Sequence, residues 1–288
     1  MIRRWGAARR APARSAEGME ESETPLKIGF IAHNHLEGIE EDCRFAAEHG
    51  FSGLEFNYWA GFRDLTAETV RQMRAALDAY GIECSTFGLW GWNHIAPDPE
   101  QRAESQRQLA RAIEFAEIMR APILITGAGE YSQDLDENVH MFAAEMRPHI
   151  NRAKAAGIRV AIYGFHGGFL RSGAAYERLW QAVDDVGMKF DPANVDHAGE
   201  DYVEILKKHG RRIWHVHIKE HLNHAGEVAA QPAAGMGDIH WGKVMAFLYE
   251  AGYEGYLTIE PHGPLWSRDP LRRTMLLLSQ RHIRQFLL

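Results

Sequence analysis

The sequence repeats one pattern eight times between residue 26 and its C-terminus: a short apolar run followed by a longer segment with helical periodicity. The helical segments carry apolar residues three or four positions apart, as Leu109, Ile113 and Ala116 do. The apolar runs have the length and composition of buried strands and cover residues 26–32, 53–57, 83–90, 122–127, 159–164, 188–192, 213–218 and 256–261. Eight strand–helix pairs in about 250 residues are typical of a (β/α)8 TIM barrel.

An open, doubly wound parallel sheet would have the same order of elements, because periodicity does not show whether a sheet closes. Such a sheet usually carries a glycine-rich phosphate-binding turn after its first strand. The corresponding segment here, FIAHNHLEG, lacks that glycine spacing. Four predicted helices end just before a strand at a glycine, where a left-handed cap is favourable: Gly50, Gly81, Gly157 and Gly252. We therefore predict the α/β class and a single barrel domain over residues 26–288.

Residues 1–25 differ in composition from the rest of the chain. They hold five arginines before the first acidic residue, Glu17, and then turn acidic in MEESETP. A targeting peptide can also be rich in arginine and alanine, but this segment lacks the apolar core of a secretion signal and has little amphipathic periodicity. We predict a disordered leader outside the barrel, with Met19 as an alternative start.

Charge and cysteine content narrow the class of partner. The formal net charge is −7 and the acidic residues are dispersed, which argues against nucleic acid as the main partner. No apolar run reaches the ~20 residues that a membrane helix needs. Cys43 and Cys84 lack the spacing of a disulfide framework or a thiolate metal site. We expect a small-molecule ligand, no membrane partner and a reducing, cytoplasmic location.

Active sites of (β/α)8 barrels lie at the carboxyl ends of the strands, so the residues at those ends form the candidate site. His215 and His217 share one face of the strand IWHVHI, since strand side chains alternate with a period of two. Such histidines are often core residues bonded to their neighbours, so a functional role depends on what converges on them. From their place near the strand ends we predict that the following residues contact substrate: Asn34, Glu55, Trp90, His94, Tyr163, Asn194 and His215.

Three strand-end residues have the chemistry of a metal site. Asp191, His217 and Glu260 come from three neighbouring predicted strands and supply two carboxylates and an imidazole. Divalent ions such as Mn²⁺ and Mg²⁺ take oxygen-rich ligand sets with some imidazole. Each residue alone has a simpler explanation, and FDPAN is also an ordinary turn sequence. Their convergence predicts a divalent-metal site for Mn²⁺ or Mg²⁺, with Co²⁺ or Zn²⁺ as alternatives.

Two longer stretches carry a family resemblance. KFDPANVDHAGEDYVEILKKHGRRIWHVHIKE and GMGDIHWGKVMAFLYEAGYEGYLTIE resemble the sixth-to-seventh-strand region and the C-terminal motif of the xylose isomerase-like barrels grouped as sugar phosphate isomerases/epimerases. The resemblance implies a divalent ion held by Glu, Asp, His and Glu from strands five to eight. Asp191, His217 and Glu260 match three of these ligands. It also implies proton exchange between two glutamates on opposite sides of the sugar, and a homodimer or homotetramer.

The fifth strand departs from the family pattern. It reads AIYGFHGG, so Tyr163 or Gly164 stands where the family has its first glutamate. His166 is our candidate for the missing ligand or base, because imidazole can bind such a metal and move protons near neutral pH; a plain loop histidine is the alternative. Tyr163 could instead donate a hydrogen bond to substrate. Asn194 and Asn223 replace a His and an Arg of the ketose epimerases, which argues against a plain ketohexose as substrate.

The sequence thus predicts a metal-dependent isomerase, epimerase or lyase acting on a sugar, cyclitol or sugar derivative. We expect Glu260 to be both ligand and base, with Lys219 and His166 as further catalytic candidates. No phosphate cradle is evident, so we expect an unphosphorylated substrate. Two alternatives remain: a non-catalytic sugar-binding barrel with a degraded metal site, and a phosphodiesterase resembling endonuclease IV, against which the acidic charge argues.

Overall fold

The computed structural model describes residues 26–287, and the predicted leader over residues 1–25 lies outside the described residues. In chain order the elements are β1 (Lys27–Ile31), α1 (Leu36–His49), β2 (Gly53–Tyr58), α2 (Ala67–Tyr80), β3 (Glu83–Leu89), α3 (Pro99–Met119), β4 (Ile123–Gly127), α4 (Leu135–Ala155), β5 (Arg159–Tyr163), α5 (Gly173–Ala182), β6 (Val186–Phe190), α6 (Pro192–His197), α7 (Tyr202–His209), β7 (Ile213–Ile218), β8 (Leu222–His224), β9 (Glu227–Ala230), α8 (Trp241–Glu250), β10 (Tyr256–Ile259) and α9 (Leu271–Arg284). Short 3₁₀ turns cover Ala60–Asp64 and Gly210–Arg212.

Eight strands, β1 to β7 and β10, close into a parallel barrel, which confirms the predicted fold. The order around the barrel is β1, β10, β7, β6, β5, β4, β3, β2, and β1 pairs with both β2 and β10. An open doubly wound sheet is therefore excluded. The remaining two strands, β8 and β9, form an antiparallel hairpin between β7 and α8 that the strand pattern did not predict.

The glycine caps expected from the sequence are present. Gly50 ends α1 and Gly81 ends α2, with φ of 71° and 67°, a left-handed conformation that glycine adopts without a Cβ penalty. Each turn then leads directly into the next strand. Among residues 26–287, no helix is long and apolar enough to cross a membrane.

The interior of the barrel is unusually polar, and this determines where chemistry is available. Glu55 of β2 contacts His215 of β7 at 2.6 Å, although β2 and β7 are not neighbours in the barrel. These side chains therefore meet across the interior. Apolar residues fill the layer between strands and helices, where Phe30, Phe56 and Phe87 are completely buried. The barrel core thus holds charged groups in a site largely closed to water.

Candidate active site

A cavity of about 940 Å³ opens at the carboxyl ends of the barrel strands, where the fold predicts an active site. Its wall includes Trp90 after β3, Tyr163 of β5, Lys189 of β6, His217 of β7 and Glu260 after β10. Cavities of this size are ordinary for small-molecule sites. Residues from most of the barrel strands therefore meet at one place.

A chain of hydrogen bonds centred on His217 forms the floor of this cavity. His217 Nε2 lies 2.8 Å from Glu55 Oε1, and His217 Nδ1 lies 2.7 Å from Glu260 Oε2. The second oxygen of Glu55 lies 2.6 Å from His215 Nε2, and the Asn57 amide donates to Glu55 Oε1 at 2.8 Å. Glu55 therefore fixes the orientation of both imidazoles from inside the barrel.

The charges in this network determine its protonation. Burial raises the pKa of Glu55, but His217 and His215 outweigh burial and bring the pKa well below its ordinary value. Burial lowers the pKa of His217, yet Glu55 and Glu260 together leave it above the ordinary value. Burial dominates at His215, whose pKa is lowered. Glu55 is thus a carboxylate, His217 favours the imidazolium that donates from both nitrogens, and His215 stays neutral.

Asp191 directly follows β6 and is buried beside two residues of the cavity wall, Lys189 and Asn194. Its Oδ1 accepts the backbone N–H of Asn194 at 3.1 Å, which caps α6, so the turn function suggested by FDPAN is real. Its Oδ2 accepts from Asn194 Nδ2 at 2.6 Å and from Lys189 Nζ at 3.2 Å. Asn194 Nδ2 also donates to the Tyr163 hydroxyl at 2.5 Å. These hydrogen bonds hold both oxygens of the carboxylate in place.

The predicted metal ligands fit a divalent ion. One ligand atom each from Asp191, His217 and Glu260 lie within 4.8 Å of one another. Two carboxylates and an imidazole suit Mn²⁺, Mg²⁺ and related ions. Nδ1 of His217 faces Glu260 and Nε2 faces Glu55. If Nδ1 lost its proton and bound an ion, Nε2–H would still donate to Glu55, and second-sphere carboxylates commonly accept such a bond from histidine ligands. Glu55, His215 and His217 form a second such group, wholly buried and bonded internally.

The other predicted catalytic residues lie on the same cavity. Lys219 Nζ is 3.5 Å from Glu260 Oε1 and 3.4 Å from Asn194 Oδ1. His166 is exposed on the cavity wall, in the loop after β5, and is not part of the group of three ligands. Its predicted role as a fourth ligand therefore has no support from the grouping of donor atoms.

An aromatic wall lines one side of the cavity. The rings of Trp59 and Trp90 are stacked with their centroids 5.9 Å apart, and Tyr163 meets Trp90 edge-on at 5.2 Å. Trp90 Nε1 donates to Asn57 Oδ1 at 2.6 Å, which fixes the indole. Trp59 is 56% exposed and lies on the cavity wall. Such a surface can pack against the C–H face of a sugar or cyclitol.

Four predicted substrate-binding residues do not lie on this wall. Glu55 and His215 face the interior but lie below the cavity and bond to each other. Asn34 is exposed in the turn before α1 and does not reach the cavity. His94 is completely buried behind β3 and β4. Trp90, Tyr163 and Asn194 are the predicted substrate-binding residues that the structure brings to the cavity.

The contacts of His94 define its protonation state. The Thr126 hydroxyl donates to the Leu89 carbonyl, so His94 Nε2–H donates to Thr126 at 2.7 Å, and its Nδ1 accepts from Ser105 at 2.7 Å. Burial lowers the pKa of His94 to about 3. His94 is therefore a neutral structural residue at physiological pH.

We expect the burial of His94 to reduce stability in mild acid. The unfolded chain takes up a proton at this histidine below pH 6.5, whereas the folded chain resists it down to about pH 3, so protonation favours unfolding in that window. Between pH 7 and pH 5 the wild type should lose about 2 kcal/mol more free energy of unfolding than His94→Gln. Urea unfolding of both proteins at the two pH values measures this difference, and equal losses would contradict the assignment.

Sequence reasoning missed Lys189. This lysine precedes Asp191 by two positions and so shares its strand face, a signal that strand periodicity does provide. Its side chain is only 2% exposed, yet it lies on the cavity wall. Lysines in strands usually extend toward solvent, and the local sequence does not show that this one is buried.

Comparison with known proteins agrees with this geometry. The family model described as a xylose isomerase-like TIM barrel matches residues 43–280. An inosose dehydratase from Clostridium botulinum (strain Alaska E43 / Type E3) is 30% identical over 241 residues, covering 73% of this chain and 78% of that protein. An inosose dehydratase from Clostridium perfringens is 27% identical over 124 residues, covering 38% of this chain and 42% of the relative, less than half of its length.

Solved structures show the same fold at low sequence identity. An L-ribulose 3-epimerase superposes with a TM-score of 0.77 at 14% identity, covering 91% of this chain and 94% of the other. The D-psicose 3-epimerase of Clostridium cellulolyticum H10 gives 0.75 at 15% identity, covering 91% and 99%. A 3-keto-D-glucoside 4-epimerase from E. coli gives 0.69 at 20% identity, covering 89% and 99%.

Proposed function

The chain belongs to the xylose isomerase-like TIM barrel family, and we propose that it is a divalent-metal-dependent enzyme that removes a proton next to the carbonyl of an unphosphorylated sugar or cyclitol. The observation that carries this proposal is Glu260, a carboxylate on the cavity wall that also belongs to the group of three metal ligands. The inosose dehydratase relatives and the epimerase neighbours support an enzyme over the non-catalytic barrel.

Glu260 carries the negative charge that a general base requires. Burial raises its pKa, but the Lys219 ammonium and His217 outweigh burial and bring the pKa well below the ordinary value. The group is therefore ionised at neutral pH. In the proposed step the C–H bond next to the carbonyl breaks and the proton moves to a Glu260 oxygen. The C–H electron pair forms the carbon–carbon double bond of an enediolate, and the carbonyl π pair moves onto the carbonyl oxygen.

The remaining groups would orient substrate and balance the developing charge. A divalent ion held by Asp191, His217 and Glu260 would polarise the carbonyl and stabilise negative charge on its oxygen. Lys219 can donate to a substrate hydroxyl, since its ammonium has three donors and lies close to Glu260 and Asn194. Burial raises the pKa of Tyr163, so its phenol stays neutral, keeps its proton and can donate a hydrogen bond to substrate.

The carboxylates of the wall favour elimination over epimerisation. Inversion at a carbon requires proton removal from one face and return at the opposite face. Of the two glutamates among the described wall residues, Glu130 is paired with Arg171 at 3.0 Å, which leaves Glu260. One base is sufficient for a dehydration in which Glu260 removes the proton and then delivers it to the hydroxyl one carbon further, so that the C–O bond breaks and water departs. Epimerisation is the second candidate and would require His166 or another wall histidine on the opposite face.

Solvent exchange tests the proposal without presupposing the product. The Mn²⁺-loaded protein is incubated in D2O with an inosose, L-ribulose or D-allulose, and ¹H NMR follows the proton next to the carbonyl. We expect loss of that signal for at least the inosose, with an ultraviolet-absorbing unsaturated product if water is eliminated. A new diastereomer would instead indicate epimerisation. Tight binding without exchange or product for all three would favour the non-catalytic barrel.

A further inference from the structure

We propose that Lys189 is a further catalytic residue of this cavity: its ammonium group binds the substrate oxygen on which negative charge develops, beside Tyr163 at the end of the fifth strand. The inference rests on the proposed function, because it concerns the same proton abstraction. It assigns a chemical role to the residue paired with Tyr163, in the strand whose end departs from the family pattern.

The position of Lys189 follows from strand register. Lys189 of β6 is paired with Tyr163, the last residue of β5, and lies two residues before Asp191. Nζ of Lys189 lies 4.3 Å from the centre of the Tyr163 ring and 3.2 Å from Asp191 Oδ2. The ammonium therefore lies between the end of the fifth strand and a proposed metal ligand.

The hydrogen-bonding capacity of Lys189 exceeds what its surroundings use. An ammonium group has three donors. Within residues 26–287 its one hydrogen-bond acceptor is Asp191 Oδ2, and the face of Tyr163 supplies a cation–π contact. The side chain is 2% exposed, so water cannot freely replace the missing acceptors. Because burying charge without full compensation is unfavourable, the spare donors point to a ligand oxygen in the cavity.

A purely structural role explains Lys189 less well. Asp191 already accepts two hydrogen bonds from Asn194, one from the backbone and one from the side chain, and these suffice to fix its carboxylate. Lys219, not Lys189, is the lysine that pairs with Glu260, at 3.5 Å. Two ammonium groups beside a reacting carbonyl stabilise an enediolate by charge, an effect that is large in a site from which water is excluded.

The test uses oxalate, a planar dianion that resembles an enediolate, titrated into Mn²⁺-loaded protein by calorimetry. Lys189→Gln keeps a donor for Asp191 but removes the charge, and Lys189→Arg keeps the charge. Lys154→Met, an exposed lysine paired with Asp185 on the outer helix layer, is the matched control. We expect Lys189→Gln to bind oxalate at least about tenfold more weakly and to retain Mn²⁺, Lys189→Arg to recover part of the affinity, and Lys154→Met to match wild type.

Turnover provides the second measurement. With the substrate that exchanges best, kcat of Lys189→Gln should fall by about 10²- to 10³-fold with little change in KM, since the charge acts on the transition state. Wild-type oxalate affinity and exchange rate in Lys189→Gln would overturn the proposal. Loss of Mn²⁺ by this variant would also overturn it, because Lys189 would then act by maintaining the metal site.

Failure of the inference is distinguishable from failure of the proposed function. If wild type binds no divalent ion and exchanges no proton, the function fails, and oxalate titrated into the metal-free proteins still tests Lys189 directly. If wild type binds Mn²⁺ but not oxalate, the inference fails while the function stands. Should Lys189→Gln not fold, Lys189→Met is used for the same comparison, and wild-type oxalate affinity in that variant would overturn the proposal.

Discussion

Replacement of Glu260 by glutamine should lower proton exchange by about 10³- to 10⁴-fold, the upper part of the range for loss of a general base. The amide keeps the size of the side chain but cannot take up a proton, and it is a poorer metal ligand than a carboxylate. Exchange of the proton next to the carbonyl, measured by NMR in D2O at saturating Mn²⁺, reports the effect.

A second wall glutamate supplies the matched control for this experiment. Glu130 lines the same cavity but is paired with Arg171, outside the group of metal ligands. Glu130→Gln should therefore retain activity within about threefold, comparable to loss of an exposed ion pair worth under 1 kcal/mol. If both variants lose activity equally, or if Glu260→Gln retains it, Glu260 is not the base.

The barrel and three of its site residues, Asp191, His217 and Glu260, were predictable from the sequence. The prediction needs only the periods of strands and helices and the location of active sites at strand ends. Strand and helix periods define the eight units, and the barrel places strand ends at one mouth. Asp191 and Glu260 follow directly on β6 and β10, and His217 lies within β7, so their convergence needed no further information. The structure brings these three together as expected.

The depth of a side chain was not predictable in the same way. Alternation along a strand gives the face on which a residue lies but not its height within the barrel. Glu55 was therefore expected to touch substrate, whereas it is fully buried, does not line the cavity and bonds to His215 and His217. The direction of a loop is also not predictable from strand periodicity. The loop after β3 directs His94 into the helix layer, where it contacts Ser105.

Long-range pairing accounts for the features that sequence reasoning missed. The β8–β9 hairpin has no strong apolar alternation, and it forms within the loop that follows β7. The proposed role of Lys189 depends on its position beside Tyr163. The two residues are neighbours only because β5 pairs with β6. Such relations depend on register, which the fold determines and local composition does not.

Metal binding by wild type, His217→Ala and Asp191→Asn is the measurement that tests the central claim most directly. His217 lies between Glu260 and Glu55. Its replacement by alanine therefore removes one proposed metal ligand and also one hydrogen-bond partner of the buried Glu55. Asp191→Asn provides a milder variant that leaves the Glu55 network intact. His166→Ala is the control, since His166 lies on the wall but outside the ligand group.

We expect elemental analysis and Mn²⁺ titration to find about one divalent ion per wild-type chain. Affinity should fall by at least about 10- to 100-fold in His217→Ala and Asp191→Asn, as expected for loss of a ligand or its close support, and stay near wild type in His166→Ala. Chelation of the ion should abolish proton exchange, and returning Mn²⁺ should restore it. A wild-type protein that binds none of Mn²⁺, Mg²⁺, Co²⁺ and Zn²⁺, or a His217→Ala variant that binds as wild type does, would contradict the account.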